Sequence, residues 1–173
     1  MRFGLIGFGL WGKYHAEAIV NAPGAELAAI ACASEQTAAA ARMAFPNLPV
    51  FVGYQALLAQ KSRLGLDAAD IVVPNYLHAG IGIAALDAGL DVLLEKPMAP
   101  SVAECDALIA AARRNDRVLT IGHEFRLSRQ WGGMKRIIDA GDIGRPRYGN
   151  VSLFRFPYRP GSSSWRYDQR RVG

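Results

Sequence analysis

Cysteine is scarce in this sequence, with only Cys32 and Cys105 among 173 residues. Two cysteines are too few for a disulfide framework, and no Cys/His cluster has the spacing of zinc ligands. No stretch approaches the roughly 20 uninterrupted apolar residues that a membrane helix needs. We therefore expect no structural metal and no membrane span. The two thiols fit a reduced, cytoplasmic location as small buried side chains.

Aromatic residues are also few, at 9%, and no nucleic-acid-binding motif is present. The charge is uneven: residues 1–112 carry six Lys/Arg against ten Asp/Glu, and residues 113–173 carry fourteen against five. A basic segment of this kind can bind nucleic acid, which would make the affinity strongly salt-dependent. With so few aromatics we favour solvated arginines and binding of a small anion, and we expect no nucleic-acid partner.

Short apolar runs alternate with helical patterns over the first 122 residues. We predict strands at 3–6, 26–32, 50–52, 71–73, 91–94 and 117–122, and helices at 10–20, 35–44, 54–60, 77–88 and 101–115. Continuous apolar strands separated by helices are typical of a parallel sheet covered on both faces. Right-handed crossovers make this an α/β fold with a doubly wound, Rossmann-type sheet.

A glycine-rich turn joins the first strand to the first helix, in the order Gly7-Phe8-Gly9-Leu10-Trp11-Gly12. The pattern Gly-x-Gly-x-x-Gly is weak alone, but its place in a strand–turn–helix unit is what a dinucleotide-binding fold requires. Gly7 permits the tight turn, Gly9 lets backbone approach a pyrophosphate, and Gly12 allows close helix packing. We therefore expect all six residues to contact a dinucleotide at the helix N-terminus.

The choice between NAD and NADP is read at the end of the second strand. That position falls near Cys32-Ala33-Ser34, which carries no charge, and Ser34 is the candidate ribose contact. The first acidic residue is Glu35, and no basic residue follows until Arg42. Both cofactors remain open.

Lys96 follows the fifth predicted strand, within Glu95-Lys96-Pro97. In an open parallel sheet the carboxyl ends of the strands line the ligand crevice, so this tripeptide should reach the cofactor. An ammonium group can hydrogen-bond a substrate hydroxyl and take part in proton transfer. A solvated ion pair at the end of a strand is the alternative role for Lys96.

Taken together, these motifs resemble the N-terminal half of the glucose–fructose oxidoreductase / inositol dehydrogenase (Gfo/Idh/MocA) family. The matching segments, in order, are Gly7 to Gly12, Pro74-Asn75-Tyr76-Leu77-His78, Glu95-Lys96-Pro97, Gly122-His123 and Ile143-Gly144-Arg145-Pro146. The resemblance implies a dehydrogenase that uses NAD or NADP and acts on a sugar, cyclitol or related polyol.

The resemblance also implies roles for individual residues. Lys96 would be the catalytic group at the substrate hydroxyl, with His123 and Arg126 bordering the substrate. Further cofactor contacts would come from Asn75, Glu95, Pro97, Trp165 and Arg166. His78 is expected to pack at a helix start and His15 to be structural. Members of the family run to about twice this length, and an intact form is expected to be a homo-oligomer.

The alternation of short apolar runs and helical patterns stops after Gly122. A helix is predicted at 131–140, followed by a long, roughly alternating strand at 147–156. A single strand without a partner is an exposed edge, so it either pairs with another chain or begins a longer antiparallel α+β unit. We divide the chain into a dinucleotide-binding domain, 1–122, and the start of an incomplete substrate and oligomerisation domain, 123–173.

Two functions follow from these patterns. The first is the cofactor-binding half of an oxidoreductase that transfers hydride between a nicotinamide and a polyol, with Lys96 at the reacting oxygen. The second is a binding module, non-catalytic or vestigial, that holds a dinucleotide without turnover. The residues alone leave open the substrate, the direction of hydride transfer and the activity of the 173-residue form.

Overall fold

The computed structural model describes residues 1–154 and residue 168. The six strands are β1 (Arg2–Ile6), β2 (Glu26–Cys32), β3 (Val50–Val52), β4 (Ala68–Ile71), β5 (Asp91–Leu94) and β6 (Leu119–Ile121). The helices are α1 (Leu10–Asn21), α2 (Glu35–Ala44), α3 (Tyr54–Leu58), α4 (Lys61–Leu64), α5 (His78–Asp87), α6 (Val102–Arg114) and α7 (Arg129–Asp139). Two 3₁₀ turns, Asn75–Leu77 and Glu124–Leu127, precede α5 and α7.

The six strands form one parallel sheet in the order β3-β2-β1-β4-β5-β6. The chain starts in the middle of the sheet at β1, moves outward through β2 and β3, and then crosses back to β4 beside β1. This reversal makes the β1–β4 boundary the topological switch point, where ligands bind outside the carboxyl ends of the strands. The predicted doubly wound Rossmann-type sheet is confirmed.

The hydrophobic core has two clusters of buried residues. One joins β4 and β5 to α5 and α6, and includes Leu86, Leu94 and Leu108. The other joins β1 and β2 to α1 and α2, and includes Leu5 and Ile30. Many of the contacts use alanine, whose small side chain lets helices lie close to the sheet. The core therefore holds the carboxyl ends of β1, β4 and β5 in fixed relative positions.

Serine residues cap three of the described helices: Ser34 at α2, Ser101 at α6 and Ser128 at α7. The hydroxyl of Ser34 accepts a hydrogen bond from the backbone N–H of Thr37 at the start of α2. The hydroxyl of Ser101 accepts one from Glu104 at the start of α6 and donates one to the Glu104 carboxylate. Each cap satisfies a backbone donor that the helix itself leaves without a partner.

The fourth strand lies three residues upstream of its predicted position. Ala68–Ile71 pairs with β1 on one side and β5 on the other, whereas the prediction was 71–73. Pairing selected the strand here, because alanine and aspartate have weak intrinsic strand preference. Residues 72–74 instead leave the sheet towards the switch point, and this brings Val72 beside the glycine turn.

The segment after β6 differs from the prediction. Helix α7 forms, but the long strand expected at 147–156 is not formed over its described part, 147–154. A strand needs a neighbour to bind its backbone groups, and within residues 1–154 the segment has no strand beside it. Large apolar side chains such as Leu127, Tyr148 and Phe154 are exposed here.

Among the described residues, none of the helices has both the length and the apolar character needed to cross a membrane.

Candidate functional site

The glycine turn lies at the carboxyl end of β1, and two of its glycines are required by close backbone contacts. Gly7 has φ 105°, and a β-carbon there would lie 2.8 Å from the carbonyl carbon of Val72 and closer still to its oxygen. A β-carbon at Gly12 would lie 2.9 Å from the carbonyl carbon of Gly7, again with the oxygen nearer. Real β-carbons do not approach so closely, so only glycine lets α1 start this near to β1 and β4.

Gly9 is glycine for a different reason. It is the N-cap of α1, its backbone is extended, and nothing lies within 4 Å of a β-carbon built there. No side chain caps the helix, and no acidic residue lies in its first turn. The backbone N–H groups at the start of α1 thus face open space beside a positive helix end, which suits a pyrophosphate. The turn fits the diphosphate of a dinucleotide.

The other three residues of the turn differ in exposure. Phe8 is buried and packs edge-on against Phe45, with ring centroids 6.0 Å apart, so only its backbone faces the turn. Leu10 and Trp11 are exposed, and Trp11 contacts the ring of Tyr14. The predicted turn residues are therefore together in space, although they offer different groups to a ligand.

The end of β2 carries no net charge of its own. Ser34 uses its hydroxyl to cap α2, and Glu35 forms an ion pair with Arg42 on the same helix. Burial raises the pKa of the Cys32 thiol, so this group adds no negative charge. The pairing of Glu35 with Arg42 leaves neither an isolated acid for an NAD ribose nor an isolated base for an NADP phosphate.

Lys96 lies two residues after β5, and hydrogen bonds hold the segment on both sides of it. The Glu95 N–H donates to the carbonyl of Ile71, and the buried ring of His78 bonds the carbonyl of Pro97 at 2.7 Å. The other ring nitrogen of His78 lies 3.0 Å from the carbonyl of Val73. His78 thus packs at the start of α5, as the sequence predicted. The peptide bond between Lys96 and Pro97 is cis.

A groove of about 450 Å³ opens at Lys96. Its lining residues are Lys96, Pro97, His123, Glu124, Phe125 and Arg126. The Lys96 ammonium lies 3.2 Å from the Glu124 carboxylate, and both side chains are partly exposed. The groove brings together the three predicted substrate residues, Lys96, His123 and Arg126. It also contains Glu124 and Phe125, which the sequence analysis did not identify.

Three further predicted cofactor contacts are Asn75, Trp165 and Arg166, and the structure describes only the first of them. Asn75 is buried, 5% exposed, in the 3₁₀ turn that follows β4. It therefore lies at the switch point, near the residues that back the glycine turn. Trp165 and Arg166 lie outside the described residues. Within the described part of the chain, no group of three His, Cys, Asp or Glu residues could hold a metal ion.

The sequence analysis missed an ionic cluster that links the two halves of the site. His15 on α1 has its Nδ1 2.8 Å from Asp70 Oδ2 on β4 and its Nε2 3.2 Å from Glu95 Oε1. Two signals could have revealed it. His15 follows Gly12 by three residues and so lies on the sheet-facing side of α1. Asp70 interrupts an apolar strand, and a buried acid requires a partner.

The pKa values of the cluster follow from these contacts. Hydrogen bonds that His15 donates to Asp70 and then to Glu95 raise its pKa from 6.5 to about 9, against the opposing effect of burial. Burial raises the pKa of Asp70, an effect that its hydrogen bond from His15 only partly offsets. Burial acts in the same direction on Glu95, but the hydrogen bond and charge of His15 outweigh it and lower that pKa. At neutral pH the ring is an imidazolium between two acids.

A glycine turn at the switch point that fits a diphosphate, with a lysine after β5 at the same edge of the sheet, is typical of an NAD-binding Rossmann domain of the oxidoreductase class. The family model described as "Oxidoreductase family, NAD-binding Rossmann fold" matches residues 1–123. The chain belongs to this family, Gfo/Idh/MocA. The predicted family and the NAD(P) class of cofactor are confirmed.

Individual relatives agree with this assignment. The chain is 30% identical to inositol 2-dehydrogenase of Salmonella typhimurium over 152 residues, covering 84% of this chain and 44% of the relative. It is 34% identical to UDP-N-acetylglucosamine 3-dehydrogenase of Acidithiobacillus ferrooxidans over 165 residues, covering 94% and 48%. The chain therefore spans a little under half the length of the curated relatives it matches.

Solved structures show the same relation. The WlbA dehydrogenase of Bordetella pertussis, in complex with NADH and UDP-GlcNAcA, superposes with a TM-score of 0.77 at 30% identity. The match covers 83% of this chain and 43% of that one. The myo-inositol 2-dehydrogenase of Lactobacillus plantarum superposes with a TM-score of 0.75 at 27% identity, covering 83% and 42%.

Proposed function

We propose that this chain is the cofactor-binding half of a dehydrogenase that transfers hydride between NAD or NADP and a sugar, cyclitol or related polyol. The observation that carries the proposal is the juxtaposition of an open helix N-terminus at Gly9 with Lys96 at the end of β5, both at the carboxyl edge of one sheet. The names of the relatives, inositol and UDP-sugar dehydrogenases, support the substrate class.

The glycine turn would hold the diphosphate through the backbone N–H groups at the start of α1. Ser34, at the end of β2, would contact the ribose. Asn75 would lie by the ribose or the nicotinamide, as the family resemblance implies. When bound, the nicotinamide supplies the acceptor or donor of hydride. The residues of the chain provide position and electrostatics for that step.

Lys96 would act on the substrate oxygen. Its ammonium now pairs with Glu124 across the groove, and the substrate hydroxyl or carbonyl would take the place of that carboxylate. A hydrogen bond from the ammonium would stabilise the negative charge that develops on the oxygen. Lys96 would also relay the hydroxyl proton to a general base when the carbinol is oxidised, and return it when the carbonyl is reduced. His123 and Arg126, which line the same groove, would contact the remaining hydroxyl groups of the polyol.

The experiment compares binding and turnover in wild type and Lys96→Ala. Titration calorimetry with NADH and NADPH should show binding to both proteins within about a factor of two. The substitution removes only the Lys96 side chain, which acts on the substrate, and it leaves both the glycine turn and the Lys96 backbone in place. In any form with measurable turnover of a cyclitol or UDP-sugar, Lys96→Ala should lower kcat by about 100-fold or more.

The matched control is Lys135→Ala. Lys135 is also an exposed lysine paired with one carboxylate, Asp139, but it lies on α7 outside the groove. This variant should keep both binding and turnover. Equal loss of binding and turnover in Lys96→Ala would contradict the role of Lys96, and dinucleotide binding without any turnover would favour the binding module.

A further inference from the structure

The cluster of His15, Asp70 and Glu95 joins three elements of the sheet edge. Asp70 is 1% exposed, Glu95 15% and His15 22%, measured on their side chains. His15 belongs to α1, the helix that begins at the glycine turn, and Asp70 belongs to the central strand β4. Glu95 immediately precedes Lys96 in the sequence. The cluster thus connects the helix that follows the glycine turn to the residue before Lys96.

The geometry sets the protonation of the cluster. Both ring nitrogens of His15 face carboxylate oxygens, and an ionised carboxylate can only accept a hydrogen bond. Two donors on one imidazole require its doubly protonated form. The charged groups that face the ring are Asp70 from β4 and Glu95 from the end of β5, and Lys96 acts in turn on Glu95. A neutral ring could satisfy only one of the two acids as a donor.

Glu95 also contacts the backbone of Lys96. Its second carboxylate oxygen, Oε2, accepts a hydrogen bond from the Lys96 backbone N–H at 3.1 Å. Gly122, at the end of β6, leaves the space for this carboxylate, because a β-carbon there would lie 3.2 Å from Glu95 Oε1. The backbone at Lys96 is therefore tied, through one carboxylate, to a side chain of α1.

We infer that His15 is a positioning residue: as an imidazolium it fixes Glu95, and through Glu95 it holds Lys96 in register with the helix that starts at the dinucleotide turn. The inference rests on the proposed function, since it supposes that α1 and Lys96 serve one ligand. A histidine that only stabilised the fold would require neither the contact between Glu95 and the Lys96 N–H nor a second charged partner.

The first test uses the wild-type chain and no cofactor. NMR of selectively labelled protein would follow the His15 ring and the Lys96 backbone amide across pH 5 to about 10. We expect the ring to titrate near pH 9, and the Lys96 amide signal to move with the same midpoint. A ring that titrates near the ordinary histidine value, or a Lys96 amide that ignores the transition, would overturn the inference.

The second test compares two ligands on His15→Gln. NADH and ADP-ribose share the diphosphate, but only NADH carries the nicotinamide, which should pack against the backbone at Lys96 that Glu95 holds in place. We expect the affinity for NADH to fall about tenfold, in the range of one lost charge-assisted hydrogen bond. The affinity for ADP-ribose should change by less than about twofold.

The matched control is Arg2→Ala. This change removes an ion pair with Glu26 and a hydrogen bond to the Leu64 carbonyl at the opposite end of the sheet. It should affect NADH and ADP-ribose equally. Equal losses, or no loss, for both ligands in His15→Gln would assign His15 to stability alone. If the wild type binds neither ligand, the proposed function fails, and the Lys96 amide titration still decides whether His15 controls that residue.

Discussion

Alanine substitutions at Gly9 and Gly12 should separate the two reasons for glycine in the glycine turn. Each change adds one methyl group, and the two sites are less than one helical turn apart. At Gly12 the new β-carbon would lie 2.9 Å from the carbonyl carbon of Gly7. At Gly9 nothing lies within 4 Å of it, and the backbone is already in a conformation that alanine adopts, with φ −78° and ψ −162°.

The magnitudes follow from these surroundings. Overpacking against fixed backbone costs about 1–3 kcal/mol, which for a chain of this size lowers Tm by several degrees. At Gly9, alanine lowers the conformational entropy of the unfolded chain, which stabilises the folded state by about 0.4–1 kcal/mol. The poorer N-cap costs a similar amount, so the net change should be within about 0.5 kcal/mol. Gly9→Ala should instead lower the affinity for NADH about tenfold or more, because the added methyl group would occupy the space where the diphosphate meets the helix.

Thermal denaturation and NADH titration on both variants provide the assay. The expected result is a crossed pattern, in which Gly12→Ala loses stability and Gly9→Ala loses affinity at nearly unchanged Tm. NADH binding to Gly9→Ala at the wild-type level would refute the assignment of this turn as the diphosphate site. A large fall in Tm for Gly9→Ala would show that the space beside it is not open.

Two further predictions concern the caps and the pH dependence of stability. Ser34→Ala and Ser101→Ala each remove an N-cap hydrogen bond of 3.3 Å, so each should lower the free energy of unfolding by about 1 kcal/mol in denaturant unfolding. Only Ser34→Ala should also lower the affinity for NADH. Because the pKa of His15 is raised in the fold to about 9 from 6.5, its contribution to stability is complete below pH 6.5 and is lost as the pH rises through 9. The difference in unfolding free energy between wild type and His15→Gln should shrink across this window by at most about 3 kcal/mol. A difference that is independent of pH would contradict the charged state of His15.

The elements that the sequence predicted well are those whose local pattern agrees with their packing. The strand at Glu26–Cys32, the helix at Glu35–Ala44 and the strand at Asp91–Leu94 have the predicted bounds. In each case a capping residue, a glycine or a change of period marks the ends. The glycine turn was also predictable, because it combines a spacing of three glycines with a strand before and a helix after it.

The elements that were misplaced depend on partners distant in sequence. The fourth strand was placed at Ile71 to Val73, yet the sheet uses Ala68–Ile71, because β1 and β5 bind that stretch on both sides. The strand expected at 147–156 has a suitable alternating pattern, but a pattern cannot supply the neighbour that a strand needs. The ionic cluster was missed for the same reason, since His15 and Glu95 are separated by 80 residues.

The central claim is that the nicotinamide of a dinucleotide held at Gly9 lies beside Lys96. Intermolecular NOE measurements on the chain saturated with NADH test this directly, using the C4 protons of the nicotinamide and the side-chain methylene protons of Lys96. We predict a cross-peak between these groups that disappears when ADP-ribose replaces NADH. A bound nicotinamide whose C4 protons show contacts elsewhere in the protein and none to Lys96 would contradict the claim.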